Sequence, residues 1–237
     1  MELGYWNIKG VTEPIRWTIL HLGLKVTEWN PSSDEEWKEK AKTLGPLASL
    51  PYLKDGDLVI TEASRIPTSI PYYLIEKSGH MEFLGKTTVD RVHVNMIESI
   101  LTNIRRLCFK IIDLPKGSDY KAEIDRVFNK EGMIYTQIKF ISDMIKDKPY
   151  ILDYISFADL MLVFTARFTG AMCYSLLGYS PYADFPNIVK LMLNVSNLPG
   201  IKERLDGAQK VPYLPEKDVH FKFLNFGEMI DLGMNPI

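Results

Sequence analysis

Cysteine is nearly absent from this chain. Two of its 237 residues, Cys108 and Cys173, are cysteines, which excludes a disulfide framework. Both sit in apolar helical contexts and read as buried free thiols. Long hydrophobic runs are missing as well. No run of about 18 uncharged apolar residues occurs. The most apolar stretch, YISFADLMLVFTARFTGAMCYSLLGY, carries Asp159 and Arg167 and reads as a buried core helix rather than a membrane span. Charge of one sign is not in excess: 28 Lys and Arg stand against 30 Asp and Glu, a net −2. There is therefore no basic footprint for nucleic acid. What the chain does have is 46% hydrophobic and 24% charged residues, enough for one large or two small cores. The first residues, MELGYWNIKG, enter a strand pattern at once. They show neither a charged-then-apolar signal nor an Arg-rich amphipathic presequence. The expectation is a reducing compartment, by default the cytoplasm, with organelle import lacking a cleaved presequence left open.

The order of elements is legible. LGYWNI is a strand candidate ended by Gly10 and Val11. TEPIRWTILHLGL then places Ile15, Ile19 and Leu22 at helical spacing. KVTEWN is a second strand, and EEWKEKAKTLG a polar helix with Gly45 as its expected C-cap. LPYLKDGDLVIT reads as a hairpin about Lys54-Asp55-Gly56. A helix interrupted by Pro67 and Pro71 follows, to about Gly79. From about Thr87 every periodic segment reads as helical, with no convincing strand before the tail. The fold class is thus α/β first and all-α second, a small mixed sheet with helices on it and then a helical body. The expected domains are 1–82, a linker at 83–88, a helical domain at 89–216 and a tail at 217–237.

Two local signals in the second half concern folding rather than chemistry. Ser156-Phe157-Ala158-Asp159 opens the apolar helix as a capping box, with the Ser156 hydroxyl expected to accept a first-turn N–H and Asp159 to reach back. Pro186 in Asp184-Phe185-Pro186-Asn187 falls at a tolerated first-turn position.

Taken together, LGYWNIKG at 3–10, EEWKEKAKTLG at 35–45, LPYLKDGDLVIT at 50–61, SFADLML at 156–162, and DFPNIVKL with LPGIKERL near 184–205 resemble the cytosolic glutathione S-transferase family, mu-like members most of all. The resemblance covers nearly all of 2–216. It implies an N-terminal thioredoxin-like domain followed by an all-helical C-terminal domain, usually as a dimer. It implies glutathione as a possible co-substrate, and no cofactor or metal. Tyr5 aligns with the family's catalytic Tyr, whose hydroxyl hydrogen-bonds the glutathione sulfur and favours the nucleophilic thiolate. Trp6 and Trp37 match tryptophans lining the peptide, although as bare sequence they read equally well as packing residues. Val11, Ser49 and Leu50 fall at further glutathione-contact positions. Pro51 matches the family's cis-proline, and Glu62 and Ala63 the helix start that takes the γ-glutamyl group. The electrophile site would lie near 105–112 and 205–215.

The chain departs from the family pattern at several of these positions. Ala63 replaces a Ser, and a hydrogen bond lost to a charged group costs about 1.5–3 kcal/mol, or about 10–150-fold in affinity. Arg65 replaces a small inward residue, and Pro71 would cost about 3 kcal/mol inside a regular helix, so a kinked, shortened or shifted helix is expected. Ala41 stands for a Lys that faces glutathione, between Lys40 and Lys42. SILTNIRRLCFKII, 99–112, lacks the Asp that serves the partner's site, and Thr68 replaces an Arg of the dimer contact. The expectation is an eroded glutathione site in a weakly or non-catalytic structural or assembly subunit of a larger complex. Its alternative is an active mu-like transferase conjugating glutathione to small electrophiles. A protein partner, in a homodimer or a heteromeric complex, is expected through 218–237 and the 64–75 region. In the tail, Phe221, Phe223 and Phe226 form either an exposed apolar strip or a segment packed back on its own domain.

Overall fold

The computed structural model describes residues 1–61, 69–215 and 218–224. The chain divides into two compact units, Met1–Met81 and Glu82–Ile237.

The first unit is a thioredoxin-like domain. Strand β1 (Glu2–Gly4) is followed by a 3-10 turn (Gly10–Thr12), helix α1 (Glu13–His21), β2 (Thr27–Trp29), α2 (Asp34–Ala41), β3 (Tyr52–Asp55), β4 (Leu58–Thr61) and α3 (Ser69–Ser78). The sheet order is β2-β1-β3-β4, with β1 parallel to β2 and antiparallel to β3. Alternation across the pleat sorts the side chains. Leu3 and Leu53, paired across β1 and β3, enter a core with Ile15, Ile19, Ile70 and Leu74. Each such burial stabilises the fold by about 1.5–3 kcal/mol. Glu2, Gly4 and Tyr52 belong to the opposite face. There the Tyr52 ring lies flat on Gly4, where a Cβ would come within 1.9 Å of it.

Three expectations need adjustment here. β1 stops at Gly4, so Tyr5 sits just past the strand, although its N–H still bonds the Trp29 carbonyl at 3.1 Å. α2 ends at Ala41 with Lys42 as its C-cap. Gly45, at φ +99°, lies beyond the helix in the turn that follows. The hairpin is present, but Asp55 pairs with Leu58, so the loop is Gly56-Asp57. Gly56 has φ +58° and Asp57 is not left-handed, the signature of a two-residue type II′ turn. Pro71 is buried within α3. Arg65 and Pro67, and with them the start of this helix, lie outside the described residues.

The second unit is helical: α4 (Thr88–Ile112), α5 (Tyr120–Phe128), α6 (Met133–Ile145), α7 (Phe157–Leu177), α8 (Pro186–Ser196) and α9 (Ile201–Gly207). It has no strand among the described residues. Residues 120–145 form two helices, α5 and α6. The side chain of Asn129 accepts the N–H of Glu131 at 3.0 Å and its carbonyl that of Gly132 at 2.8 Å, which turns the chain between α5 and α6. α7 is long and apolar enough to cross a bilayer, but 78% of its apolar window is buried, packed against α4, α5 and α8. Cys108 and Cys173 are buried free thiols.

The start of α7 differs in detail from the expected box. Asp159 does reach back, accepting from Ser156 N–H at 2.7 Å and from Ile151 N–H at 2.8 Å. The Ser156 hydroxyl donates to Asp159 at 2.8 Å instead of accepting, and the Asp159 N–H goes to the Ser156 carbonyl. A buried carboxylate is the stronger acceptor, so it takes the hydroxyl proton. Pro186 is the first residue of α8, as expected.

Residues 218–224 pack back on this unit. Phe221 lies 5.2 Å from the Tyr120 ring, Phe223 stacks on Phe168 at 5.6 Å, and Leu224 N–H donates to Ser175 Oγ at 2.8 Å. These two phenylalanines are therefore half-buried in their own domain rather than forming an exposed strip. Phe226 lies outside the described residues.

Candidate functional site

The end of β1 gathers the first group of candidate residues. Extending the pairing of Gly4 with Tyr52 brings Tyr5 opposite Pro51, whose bond to Leu50 is cis. Tyr5 is 9% exposed, and its main-chain carbonyl accepts from Asn30 Nδ2 at 2.8 Å. Its ring and hydroxyl lie directly on Gly10. A Cβ there would meet Tyr5 Cε1 at 2.5 Å and the hydroxyl oxygen at 2.6 Å, and Gly10 has φ +50°. Only glycine fits both the backbone and the ring. Val11 is buried in the same 3-10 turn, and Trp6 is half-buried.

Arg16 locks this loop, and sequence reasoning missed it. The side chain is almost fully buried. Nη1 donates to the carbonyls of Ile8 at 2.8 Å and Lys9 at 3.2 Å and to Glu13 at 3.3 Å, while Nε donates to Glu28 at 2.9 Å. The guanidinium carbon is 6.0 Å from the Tyr5 ring centre. One side chain thus ties α1, β2 and the loop under Tyr5 together, a geometry suited to the planar fork of arginine. The available signal was Glu13 and Arg16 at i, i+3 on an otherwise apolar helix.

Ser49 and Leu50 are half-buried and Pro51 is buried. Ser49 Oγ and Thr12 Oγ1 are buried without a hydrogen-bond partner among the described residues. Such orphaned hydroxyls are uncommon and call for an explanation.

Trp37 is engaged on the outer face of the sheet. Its ring stacks on Tyr52 at 6.3 Å and lies 6.5 Å from Trp29. Lys40 sits 5.2 Å from the Trp29 ring centre and pairs with Glu2 at 2.7 Å. Glu2 also accepts the Tyr52 hydroxyl at 2.7 Å. Burial raises the Glu2 carboxyl, but the bonds from Lys40 and Tyr52 outweigh it and hold the group below its usual range. Burial and then the Glu2 bond push the Tyr52 phenol well up. Lys42 pairs with Glu39 at 2.5 Å. Both lysines flanking Ala41 are therefore held by acids of this chain. Glu62 and Ala63 lie outside the described residues, as do Arg65 and Thr68.

In 69–75, the described part of the 64–75 region expected to meet a partner, Ile70 and Leu74 belong to the domain's own core and Ile75 is fully buried. Ser69 remains exposed, and Tyr72 and Tyr73 half-buried.

A four-stranded thioredoxin-like sheet with Tyr5 at the tip of β1, followed by a helical unit, defines the glutathione S-transferase fold class. The comparisons with known proteins agree. Residues 1–74 match the glutathione S-transferase N-terminal domain. The chain is 25% identical over 216 residues to the class-mu 26 kDa glutathione S-transferase isozyme 51 of Fasciola hepatica, covering 90% of this chain and 91% of that protein. With isozyme 1 of the same organism the identity is 26% over 232 residues, covering 94% and 93%. Among solved structures, the glutathione S-transferase Blo t 8 aligns with a TM-score of 0.75 at 19% identity, over 93% of this chain and 99% of that one. Prostaglandin synthase D of Nilaparvata lugens aligns with a TM-score of 0.69 at 21% identity, over 86% and 96%. Over most of its length the chain is thus similar to class-mu glutathione S-transferases, and it shares their fold.

Proposed function

We propose that this glutathione transferase-like chain binds glutathione on its N-terminal domain and ionises the thiol at Tyr5, through a site weaker than that of its class-mu relatives. The observation that carries this is the placement of the Tyr5 hydroxyl against Gly10, beside Pro51, on a loop held by Arg16. A phenol donating to sulfur stabilises the thiolate, and a free thiol near pH 8.5 needs only modest help at neutral pH. The thiolate would attack an electrophilic carbon, forming a C–S bond as the leaving group departs. Trp6, Val11, Leu50 and Glu62 would hold the peptide. The hydroxyls of Ser49 and Thr12, unsatisfied within the described residues, suit a polar ligand here.

The weakening rests on Ala63, which offers no hydroxyl to the γ-glutamyl carboxylate, and on Ala41, whose neighbours Lys40 and Lys42 are already paired. A second reading, a non-catalytic subunit of a homodimer or larger complex, is favoured by the same substitutions together with Arg65 and with the loss of any acid from 99–112.

Calorimetry with millimolar glutathione, followed by conjugation of a chloronitrobenzene, separates the two. The proposal expects saturable binding and a rate that Tyr5→Phe lowers by about tenfold or more. No binding and no rate to lose would leave the subunit reading, with sedimentation then reporting its assembly.

A further inference from the structure

The most apolar helix of the chain breaks its own pattern at one charge. Every residue of α7 from Phe157 to Cys173 is buried except Arg167, which is half-buried. Its side chain borders a cleft of about 170 Å³ between α7, α8 and α9. The cleft lies within the helical unit, and the proposed glutathione chemistry uses none of the residues that line it. Arg167 Nη1 donates to Ser196 Oγ at 3.4 Å. That bond is longer than the usual 2.7–3.2 Å and ends on a neutral oxygen. An anionic oxygen in the cleft would be a stronger acceptor for the same guanidinium.

The lining says what kind of anion would suit it. Lys202, in the first turn of α9, adds an ammonium to the Arg167 fork. Ser196 accepts from Arg167 and keeps its own hydroxyl proton to donate. Asn197 spends one amide N–H on the Leu193 carbonyl at 2.9 Å, and its amide has two. The acid of the cleft is Asp206, which accepts from Lys202 at 2.5 Å. Both side chains of that pair are more than half exposed, 53% and 57%. Such i, i+4 pairs are worth little in water, so Lys202 can exchange Asp206 for a dianion. A carboxylate, with two oxygens, would be satisfied by the arginine fork alone. The three terminal oxygens of a phosphate match the fork, the ammonium and the neutral donors together. Met192 and Leu205, 2% and 9% exposed, add apolar surface to the same cleft. Its room is about ten times what one water needs, enough for a phosphate with a small apolar body.

We infer that the helical unit binds a small phosphate monoester in this cleft, its phosphate on Arg167 and Lys202 and its organic part on Met192 and Leu205. Asp206 competes with the phosphate for Lys202 and holds the affinity down. The inference is independent of the proposed glutathione chemistry.

The probes are phenyl phosphate, benzoate and phenol, titrated into the full chain by calorimetry at fixed ionic strength and pH 7.5. Phenyl phosphate should bind saturably at one site, about tenfold or more tightly than either benzoate or phenol. Arg167→Met should weaken it by about tenfold or more, and Arg167→Lys should retain part of the binding. Lys202→Met should weaken it severalfold. Asp206→Asn should tighten it about twofold, because it releases Lys202. A thermal melt checks folding. Lys202 and Asp206 are exposed, so their variants carry the test even where Arg167→Met does not fold. Absence of saturable phenyl phosphate binding would overturn the inference. So would benzoate or phenol bound as tightly, displacement of the probe by glutathione, or an affinity that the Lys202 and Asp206 variants leave unchanged.

Discussion

Replacing Arg16 by methionine tests whether one buried guanidinium holds the loop that carries Tyr5. Methionine keeps much of the volume and removes four hydrogen bonds. Two of these go to the carbonyls of Ile8 and Lys9 at 2.8 and 3.2 Å. One goes to Glu13, whose side chain is 2% exposed, and one to Glu28, whose side chain is 36% exposed. The Glu28 contact is screened by solvent and is worth about 0–1 kcal/mol. The Glu13 contact decides the result. Removing one half of a buried pair costs about 3–5 kcal/mol, and the Trp17 Nε1–H that Glu13 still accepts at 3.2 Å is a neutral donor that does not replace the lost charge. Arg16→Met should therefore lower the urea unfolding free energy by about 3–5 kcal/mol with little change in m. The double variant Arg16→Met/Glu13→Gln removes both charges and should lose less than the single variant, giving a coupling of about 0.5–3 kcal/mol. Arg16→Lys keeps the charge without the fork and should fall between. A loss below about 1 kcal/mol in Arg16→Met, or a cycle that is simply additive, would refute the reasoning.

Gly10→Ala places a Cβ 2.5 Å from Tyr5 Cε1 at φ +50°. It should destabilise the domain by about 1–2 kcal/mol from the backbone alone, and lower any Tyr5-dependent rate further; a melt and a rate unchanged within error would contradict this. Asp159→Ala strips acceptors from Ile151 N–H, Ser156 N–H and Ser156 Oγ. It should cost about 3 kcal/mol or more, against about 1 kcal/mol for Ser156→Ala, as read by thermal denaturation. Glu2 is held below its ordinary 4.5 in the folded chain, because the bonds from Lys40 and Tyr52 overcome burial. Its contribution to stability is present above that unfolded value and is lost as pH falls through the folded one. Glu2→Gln should therefore flatten the acid limb of a stability-against-pH profile, and an identical limb would remove Glu2 from the account.

Much of the fold was written in local patterns. Asp55-Gly56 announced a hairpin, Pro186 a helix start, and the spacing of Ile15 and Ile19 a helix face. Such signals act between near neighbours, so they survive reading one residue at a time. Boundaries were less legible: α2 stops at Ala41 rather than Gly45, and the hairpin loop is Gly56-Asp57, because hydrogen bonds with other segments set the last residue of an element. The candidate site was legible only where a motif named it. Tyr5 and Pro51 stand out in the text, whereas Arg16 reads as an ordinary charge on a helix.

The sequence by itself determined the order α/β then helical, the poverty of cysteine that leaves two buried thiols, and the substitutions at Ala41 and Ala63. Tertiary structure alone decided which charges face water and which do not. Arg16 is matched by Glu13, Glu28 and two carbonyls, whereas Arg105 is buried with no hydrogen-bond partner among the described residues. Both are arginines on helices with an acid at helical spacing. The difference between them comes from what distant segments bring within about 3 Å, since only at that range does a hydrogen bond offset desolvation.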